Sequence, residues 1–306
     1  MSRWPAAIWT YWTTPVRAER LAVFRIAVGT LVAIDTAVSF APHAVDYFGA
    51  TGIFPARLFE ISNVGWRWSL LPANATPEEV YVAIGALLLS AVGVAVGLGT
   101  RINCVAMWAL LVSLHHRSPY VMNGGDFLLQ AAALYLMLMP AGARWSLDHV
   151  LRRRRGKVGD PWVPPWAFRL AQVQLAVVYL FTGLSKLPVP GGPGVGNWIS
   201  GEAVAKAVGT ASMGRFEFLT SIPWWVYAPF TWLTLGWELL FPVLISFSRT
   251  RNIALLYGVA FHLGIFATLE IGAFSFATLC YYLLYLPGGW FGPETPTVAS
   301  GGKVDV

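Results

Sequence analysis

The chain has 306 residues, of which 56% are hydrophobic and 12% charged, and its mean hydropathy is +0.58. Water-soluble domains carry about 25% charged residues, so this composition excludes an ordinary soluble domain and points to an integral membrane protein. The net charge of +6 does not signal nucleic acid, because the cations cluster at the ends of apolar runs, where they orient a membrane protein.

In chain order, Trp4 to Trp12 reads as an interfacial helix ended by Pro15, so that residues 1–17 form an N-terminal segment. The first strongly apolar run, from Leu21, has no small-residue cleavage site and continues for a full crossing, which makes it a signal anchor. Apolar windows predict eight spans, at 20–41, 80–99, 102–117, 126–142, 167–187, 224–247, 252–271 and 273–288. The segments 42–79 and 188–223 are rich in Trp, Pro and Gly and read as ordered interfacial structure, with Trp66, Trp68, Trp198, Trp224 and Trp225 as anchors at headgroup level. Cys104 and Cys280 lie inside predicted spans as small buried hydrophobes. The tail from Phe291 to Val306 reads as disordered, leaving 18–290 as the membrane domain.

The run Arg152-Arg153-Arg154-Arg155-Gly156-Lys157 after the fourth span must be cytoplasmic. With eight spans, Arg3, Arg17, Arg20, Arg101, Arg249 and Arg251 fall on the same side. The expected fold is therefore all-α, a polytopic bundle of about eight transmembrane helices in the plasma membrane, with both termini cytoplasmic. No internal repeat of the kind that marks many transporters is visible.

An ionisable side chain near the bilayer centre costs roughly 2.5–3.5 kcal/mol on insertion scales, so the few present are informative. They are Arg25 and Asp35 in the first span, His115, His116 and Arg117 closing the third, Asp126 opening the fourth, Lys186 closing the fifth, Glu238 in the sixth, and His262 and Glu270 in the seventh. Arg25 lies near the cytoplasmic end, where a snorkelling position is available. Nearly all the others fall in the outer half of the membrane, as a single polar pocket opening outward would require. The competing structural reading pairs Asp35 or Glu238 with Arg25 or Arg117 to lock helices together. His262 and Glu270, eight residues apart, are expected about 12 Å apart along one helix on nearly the same face. Lys186 ends an otherwise uncharged apolar run, so its amine either reaches water or is held in a low-dielectric pocket as a base.

Several chemistries are set aside. No Cys/His cluster has zinc spacing, His115 and His116 point to different helix faces, and neither a phosphate-binding G-x-x-x-x-G-K-[ST] loop nor a G-x-S-x-G elbow is present. Asn74-Ala75-Thr76 fits the glycosylation acceptor pattern in an outer loop.

Over most of 18–288 the chain resembles the horizontally transferred transmembrane (HTTM) domain, the membrane portion shared by vitamin K-dependent γ-carboxylases and many bacterial proteins. The segments that carry the resemblance are Phe24-Arg25-Ile26-Ala27-Val28-Gly29 with Asp35, Tyr47-Phe48-Gly49 with Gly52-Ile53-Phe54-Pro55, Asn123-Gly124-Gly125-Asp126, and Trp145-Ser146-Leu147-Asp148. They continue with Gln174 to Tyr179, Gly183-Leu184-Ser185-Lys186-Leu187, Trp198 with Gly201, Trp237-Glu238-Leu239-Leu240-Phe241-Pro242, Phe261-His262-Leu263 and Gly272-Ala273-Phe274-Ser275.

The resemblance implies that Lys186, at the position of the carboxylase lysine in G-x-x-K-L, is a base that deprotonates a reduced quinone of the vitamin K or menaquinol type. Oxygen then converts the quinone to its epoxide while CO2 is added to a peptide glutamate. His262 and Asp126 are the further candidate catalytic residues, Glu238, Glu270, Asn123 and Trp198 are candidate cofactor contacts, and no metal is implied. The expected partners are membrane lipids and a secreted peptide or protein at the outer face, with no nucleic acid.

Two departures accompany the match. The carboxylase has a histidine in an Asn-Asn-His segment where this chain has Gly125 and Asp126, so Asp126 is the candidate to take over its hydrogen bond. The carboxylase also continues into a β-rich domain that grips its client, whereas this sequence ends at Val306, shortly after the eighth predicted span. The alternative function is a non-enzymatic membrane partner in peptide maturation, export or immunity.

Overall fold

The computed structural model describes residues 4–62, 67–157, 159–188 and 196–292. The tail beyond Gly292, Trp66, Arg3 and part of the 188–223 segment lie outside the described residues. Fourteen helices appear among those described. They are α1 (Trp4–Thr13), α2 (Ala18–Asp35), α3 (Ala44–Phe48), α4 (Ala56–Ser62), α5 (Pro77–Val96), α6 (Thr100–Arg117), α7 (Gly124–Leu138), α8 (Leu147–Arg154), α9 (Trp166–Ser185), α10 (Gly196–Ser200), α11 (Ala203–Gly209), α12 (Trp224–Ser246), α13 (Ser248–Thr268) and α14 (Phe274–Tyr282). Among the described residues, one small sheet pairs β1 (Val16–Arg17) with β2 (Trp162–Val163), antiparallel, Val16 opposite Val163.

Every predicted span coincides with a helix, but the helices are not equal as crossings. Five runs are long and apolar enough to cross a membrane by length and composition: Ala18–Phe48, α5, α9, α12 and α13. The shorter apolar helices are α7 and Phe274–Tyr285. At 1.5 Å per residue, the 15 residues of α7 cover about 22 Å, less than a hydrocarbon core of about 30 Å. The long runs turn large apolar side chains outward, among them Val82, Leu89, Phe181, Leu240, Ile253 and Leu256. A surface of this kind suits lipid and not water.

The chain divides into two units. The first comprises the described residues within 1–118, 130–170 and 283–306, and the second those within 119–129 and 171–282.

In the first unit, α2 packs against α5, and Leu21, Phe24, Val28 and Val32 of α2 and Ile84, Leu87, Ala91 and Val94 of α5 are buried. Gly29 permits this approach, since a Cβ there would come within 2.6 Å of the Ala95 nitrogen. Pro42 has no N–H for continued α-helix bonding, and the chain passes it through a π turn (Thr36–Phe40) and a 3-10 turn (Ala41–His43) into α3. Thr76 and Glu79 form a capping box at the start of α5, with Pro77 in its first turn, so the Thr76 hydroxyl of the glycosylation triplet serves the helix. Cys104 and Cys280 are free and buried.

In the second unit, α12 and α13 form an antiparallel-connected pair, α11 packs on α12, and α14 packs on α13. The expectation that α13 continues through Glu270 is corrected. The helix ends at Thr268, Leu269 is extended, and the Glu270 N–H bonds to the Met213 carbonyl at 2.7 Å. Glu270 is exposed and does not share a helix face with His262.

Candidate functional site

The intramembrane ionisable residues are distributed over the two units. In the first unit, neither arginine meets a carboxylate. Arg25 is fully buried and donates to the carbonyls of Ala95 at 2.9 Å, Trp145 at 2.6 Å and Val94. It is a carbonyl clamp and not a snorkelling cation. Arg117 donates to the carbonyls of Phe54 and Gly49, each at 2.8 Å, and of Ala73 at 3.0 Å, which ties down the 42–79 segment. Asp35 accepts from Ser39 at 2.7 Å, His115 meets Gln130, and His116 Nδ1 lies 2.9 Å from the Trp68 carbonyl. The helix-locking pairs expected among Asp35, Glu238, Arg25 and Arg117 are absent from these assignments.

Among the intramembrane ionisable residues named above, the second unit holds a pair that meet each other. Lys186, just past the C-terminus of α9, donates to both carboxylate oxygens of Glu238 on α12. The side chains are 15% and 7% exposed, so the pair is largely shielded from water. The ammonium also lies 4.3 Å from the ring centroid of Trp198, in cation–π contact.

Local sequence explains this convergence. Gly183, one turn before Lys186, lets α9 approach α12, because a Cβ there would stand 3.0 Å from the Leu239 side chain. Trp198 sits on α10, which is fastened to α12 by Trp232 Nε1 donating to the Ile199 carbonyl at 3.0 Å and Thr231 Oγ1 donating to the Gly201 carbonyl at 2.9 Å. Gly201 has a φ of 89°, and a Cβ there would press within 2.7 Å of the Ala228 Cβ.

On α9, seven residues before Lys186, the Tyr179 hydroxyl lies 2.6 Å from His262 Nε2 and 2.6 Å from the Tyr282 hydroxyl. This chain joins α9, α13 and α14. Gly258, one turn before His262, makes room for Tyr282, since a Cβ there would fall 2.7 Å from its ring. The Tyr179 ring packs against Trp237 and Phe241 with centroids at 5.5 and 4.4 Å, and Trp237 packs on Tyr257 at 5.1 Å. His262 is completely buried and its Nδ1 has no hydrogen-bond partner. A buried imidazole nitrogen without a partner carries a desolvation cost unless something else bonds it.

Asn123 and Asp126 stand at the start of α7. The Asp126 carboxylate accepts the Asn123 N–H and the Asn123 side chain accepts the Gly125 N–H, each at 2.7 Å, a reciprocal cap of the helix N-terminus. Gly125 and Gly124 face Phe274, whose ring is 5.6 Å from that of His262. Lys186, Glu238 and Trp198 are thus brought together, His262 joins a separate hydrogen-bonded chain, Asn123 and Asp126 cap a helix, and Glu270 stands apart.

Sequence reasoning assigned no role to Tyr179 or Tyr282. A signal was present: a tyrosine within an apolar span needs a partner for its hydroxyl, and Tyr179 lies seven residues before Lys186. Among the described residues no three His, Cys, Asp or Glu side chains converge to hold a metal.

The family model of the HTTM domain matches residues 13–290. No solved structure matches the chain.

Proposed function

We propose, on the premise that this chain belongs to the HTTM domain family, that the Lys186–Glu238 pair is the acid–base centre of a membrane enzyme acting on a reduced quinone. In this reading quinol oxygenation, ending in the epoxide, is coupled to carboxylation or another modification of a peptide. The observation that carries the reading is the inward placement of the Lys186 ammonium against a shielded carboxylate and an indole face. A lysine serving only as an anchor would direct its amine to water.

Glu238 is what makes Lys186 usable as a base. Moving the ammonium proton onto the carboxylate turns two charges into a neutral amine and a neutral acid, and a poorly solvated site reduces the cost of that transfer. The neutral amine then takes a proton from an acidic hydroxyl, and the resulting ammonium stands beside the anion that remains. The two groups titrate as a pair, so neither has a base strength of its own.

In this reading the aromatic and polar side chains of the second unit would receive a flat aromatic diol. Trp198 and Trp237 supply apolar surface, and the unpartnered His262 Nδ1 offers a hydrogen-bonding position held by Tyr179. A reduced quinone would supply the acidic hydroxyl and, with oxygen and CO2, the oxidative and carboxylating chemistry. Asn123 and Asp126 act by fixing the start of α7 beside Phe274. The accompanying topology has eight spans with both termini cytoplasmic in the plasma membrane and the site open to the outer face, supported by the cationic segments at 17–20, 101, 152–157 and 249–251.

The test is quinol turnover by the full chain in nanodiscs, with the epoxide read by mass spectrometry. Wild-type protein should form epoxide, and Lys186→Ala and Lys186→Arg should not, because guanidinium does not deprotonate. A second reading, a non-catalytic partner in peptide maturation, export or immunity, draws on the mutual satisfaction of Lys186 and Glu238. It is chosen instead if wild-type protein neither retains a quinone nor turns over added quinol and if Lys186→Arg folds normally.

A further inference from the structure

The Trp145-Ser146-Leu147-Asp148 segment takes no part in the second unit's site, yet the first unit holds it by three separate devices. Trp145 is the one non-glycine residue with positive φ among those described, at 47°, a region that bulky residues rarely occupy. Its carbonyl is fixed by the buried Arg25 guanidinium at 2.6 Å. Ser146 Oγ accepts the His149 N–H at 2.9 Å, capping α8, and donates to the Gly142 carbonyl at 2.7 Å. Asp148 turns to the start of α6, where its two oxygens accept the Gly99 and Thr100 N–H groups at 2.8 Å and the Thr100 hydroxyl at 2.7 Å.

The last device separates charge. The sole acidic residue of α8 is consumed at α6, and the exposed C-terminal turn of the helix and the residues just after it are left cationic. Arg153, Arg154, Arg155 and Lys157 are exposed, and none appears in an ion pair among the described residues. Leu147, Val150 and Leu151, spaced i, i+3, i+4 on one helical face, are 46%, 42% and 41% exposed, and the Trp145 ring is exposed beside them in sequence. The helix follows α7, an apolar helix of a membrane protein, after a short connection.

We infer that α8 with Trp145 is a preorganised platform for anionic phospholipid headgroups of the membrane in which the protein sits. The apolar row enters the acyl boundary and the Arg/Lys cluster meets lipid phosphates, the division that amphipathic cationic helices show at interfaces. The clamp on Trp145 and the cap on Ser146 fix the helix before lipid arrives, which lowers the ordering cost of binding. This assignment does not depend on the quinol chemistry.

The test is native mass spectrometry of the full chain taken from nanodiscs of phosphatidylcholine with and without phosphatidylglycerol. Wild-type protein should retain phosphatidylglycerol preferentially, with retention falling as salt rises. Each surface cation contributes about fivefold, so the combined Arg153→Gln, Arg154→Gln, Arg155→Gln and Lys157→Gln variant should lose the preference by on the order of several hundredfold. Its melting in phosphatidylcholine alone should match wild type because the four side chains are exposed. Leu147→Ser with Leu151→Ser should weaken retention, and Arg249→Gln, an exposed cation elsewhere, should leave it unchanged. Equal retention by the fourfold variant overturns the inference. So does displacement of the lipid by inorganic phosphate with the leucine variant unaffected, which would mark a free-anion site, or an equal loss in Arg249→Gln, which would mark net charge alone.

Discussion

The deeply placed cations Arg25 and Arg117 of the first unit and Lys186 of the second are held in opposite ways. The first places Arg25 and Arg117 on backbone carbonyls, where a permanently charged guanidinium shares its protons with groups that never titrate. The second places Lys186 on Glu238 and links His262 to two tyrosines, so that every partner can gain or lose a proton. A buried charge in a membrane bundle is therefore not informative by itself. What it faces decides whether it is a clamp or a centre for proton transfer.

The largest effect expected from breaking this contrast is at Lys186. Lys186→Ala should abolish quinol turnover and, by leaving Glu238 buried without its partner, cost about 3–5 kcal/mol of stability. The double variant Lys186→Met/Glu238→Leu should recover most of that stability, since an apolar pair often replaces a buried ion pair without loss, while remaining inactive. Recovery of turnover in the double variant would defeat the proposal for the pair.

Arg117→Met should be a stability variant only. Three carbonyls lose a charged donor, at about 1–3 kcal/mol for a buried group left unsatisfied, and the 42–79 segment should become susceptible to proteolysis. Turnover per folded molecule should stay at the wild-type level, and a selective loss of turnover would blur the distinction between the units.

Tyr179→Phe should be intermediate, with a stability cost of about 1–3 kcal/mol from leaving His262 and Tyr282 without their shared partner. If His262 serves the reaction, the pH profile of turnover should shift in this variant. An unchanged profile would assign the chain to packing.

The smallest effect is acid dependence in the first unit. Burial alone would push the Asp148 carboxyl up, but the hydrogen bonds from Thr100 and Gly99 and the nearby Arg152 outweigh it and hold the group below the usual carboxylate range. A depressed folded value means that this anchorage is present in full above the unfolded value of roughly 3.9 and is lost as pH falls through the lower folded value. Asp148→Asn should flatten that acid limb in melting experiments, and an identical limb in both proteins would show that another group controls it.

Much of the candidate site was legible because its residues break the local pattern. Lys186 and Glu238 stand out in apolar runs, and Gly183 and Gly201 stand in the motifs that let the helices and Trp198 approach. The pairing itself was not legible. Periodicity along α9 and α12 gives faces, and nothing in one sequence says that Glu238 meets Lys186 and not Arg25 or Arg117. Carbonyls were overlooked as partners because every residue has one, so the sequence carries no mark of the few that a turn leaves free. Glu270 was misplaced for a related reason. Apolar composition runs on past Thr268, while the chain leaves the helix to bond Met213.

Composition and hydropathy alone determined an all-α membrane protein and the positions of its apolar helices, and an ordered set of short motifs carried the likeness to its family. These properties sum over many residues, so no single contact can overturn them. Tertiary structure decided which charges neutralise one another, that Asn123 and Asp126 cap a helix, that Tyr179 joins His262 to Tyr282, and that Asp148 leaves α8 cationic. The Asn123–Asp126 cap is local, and the others depend on groups distant in sequence meeting within about 3 Å, the range over which a hydrogen bond acts.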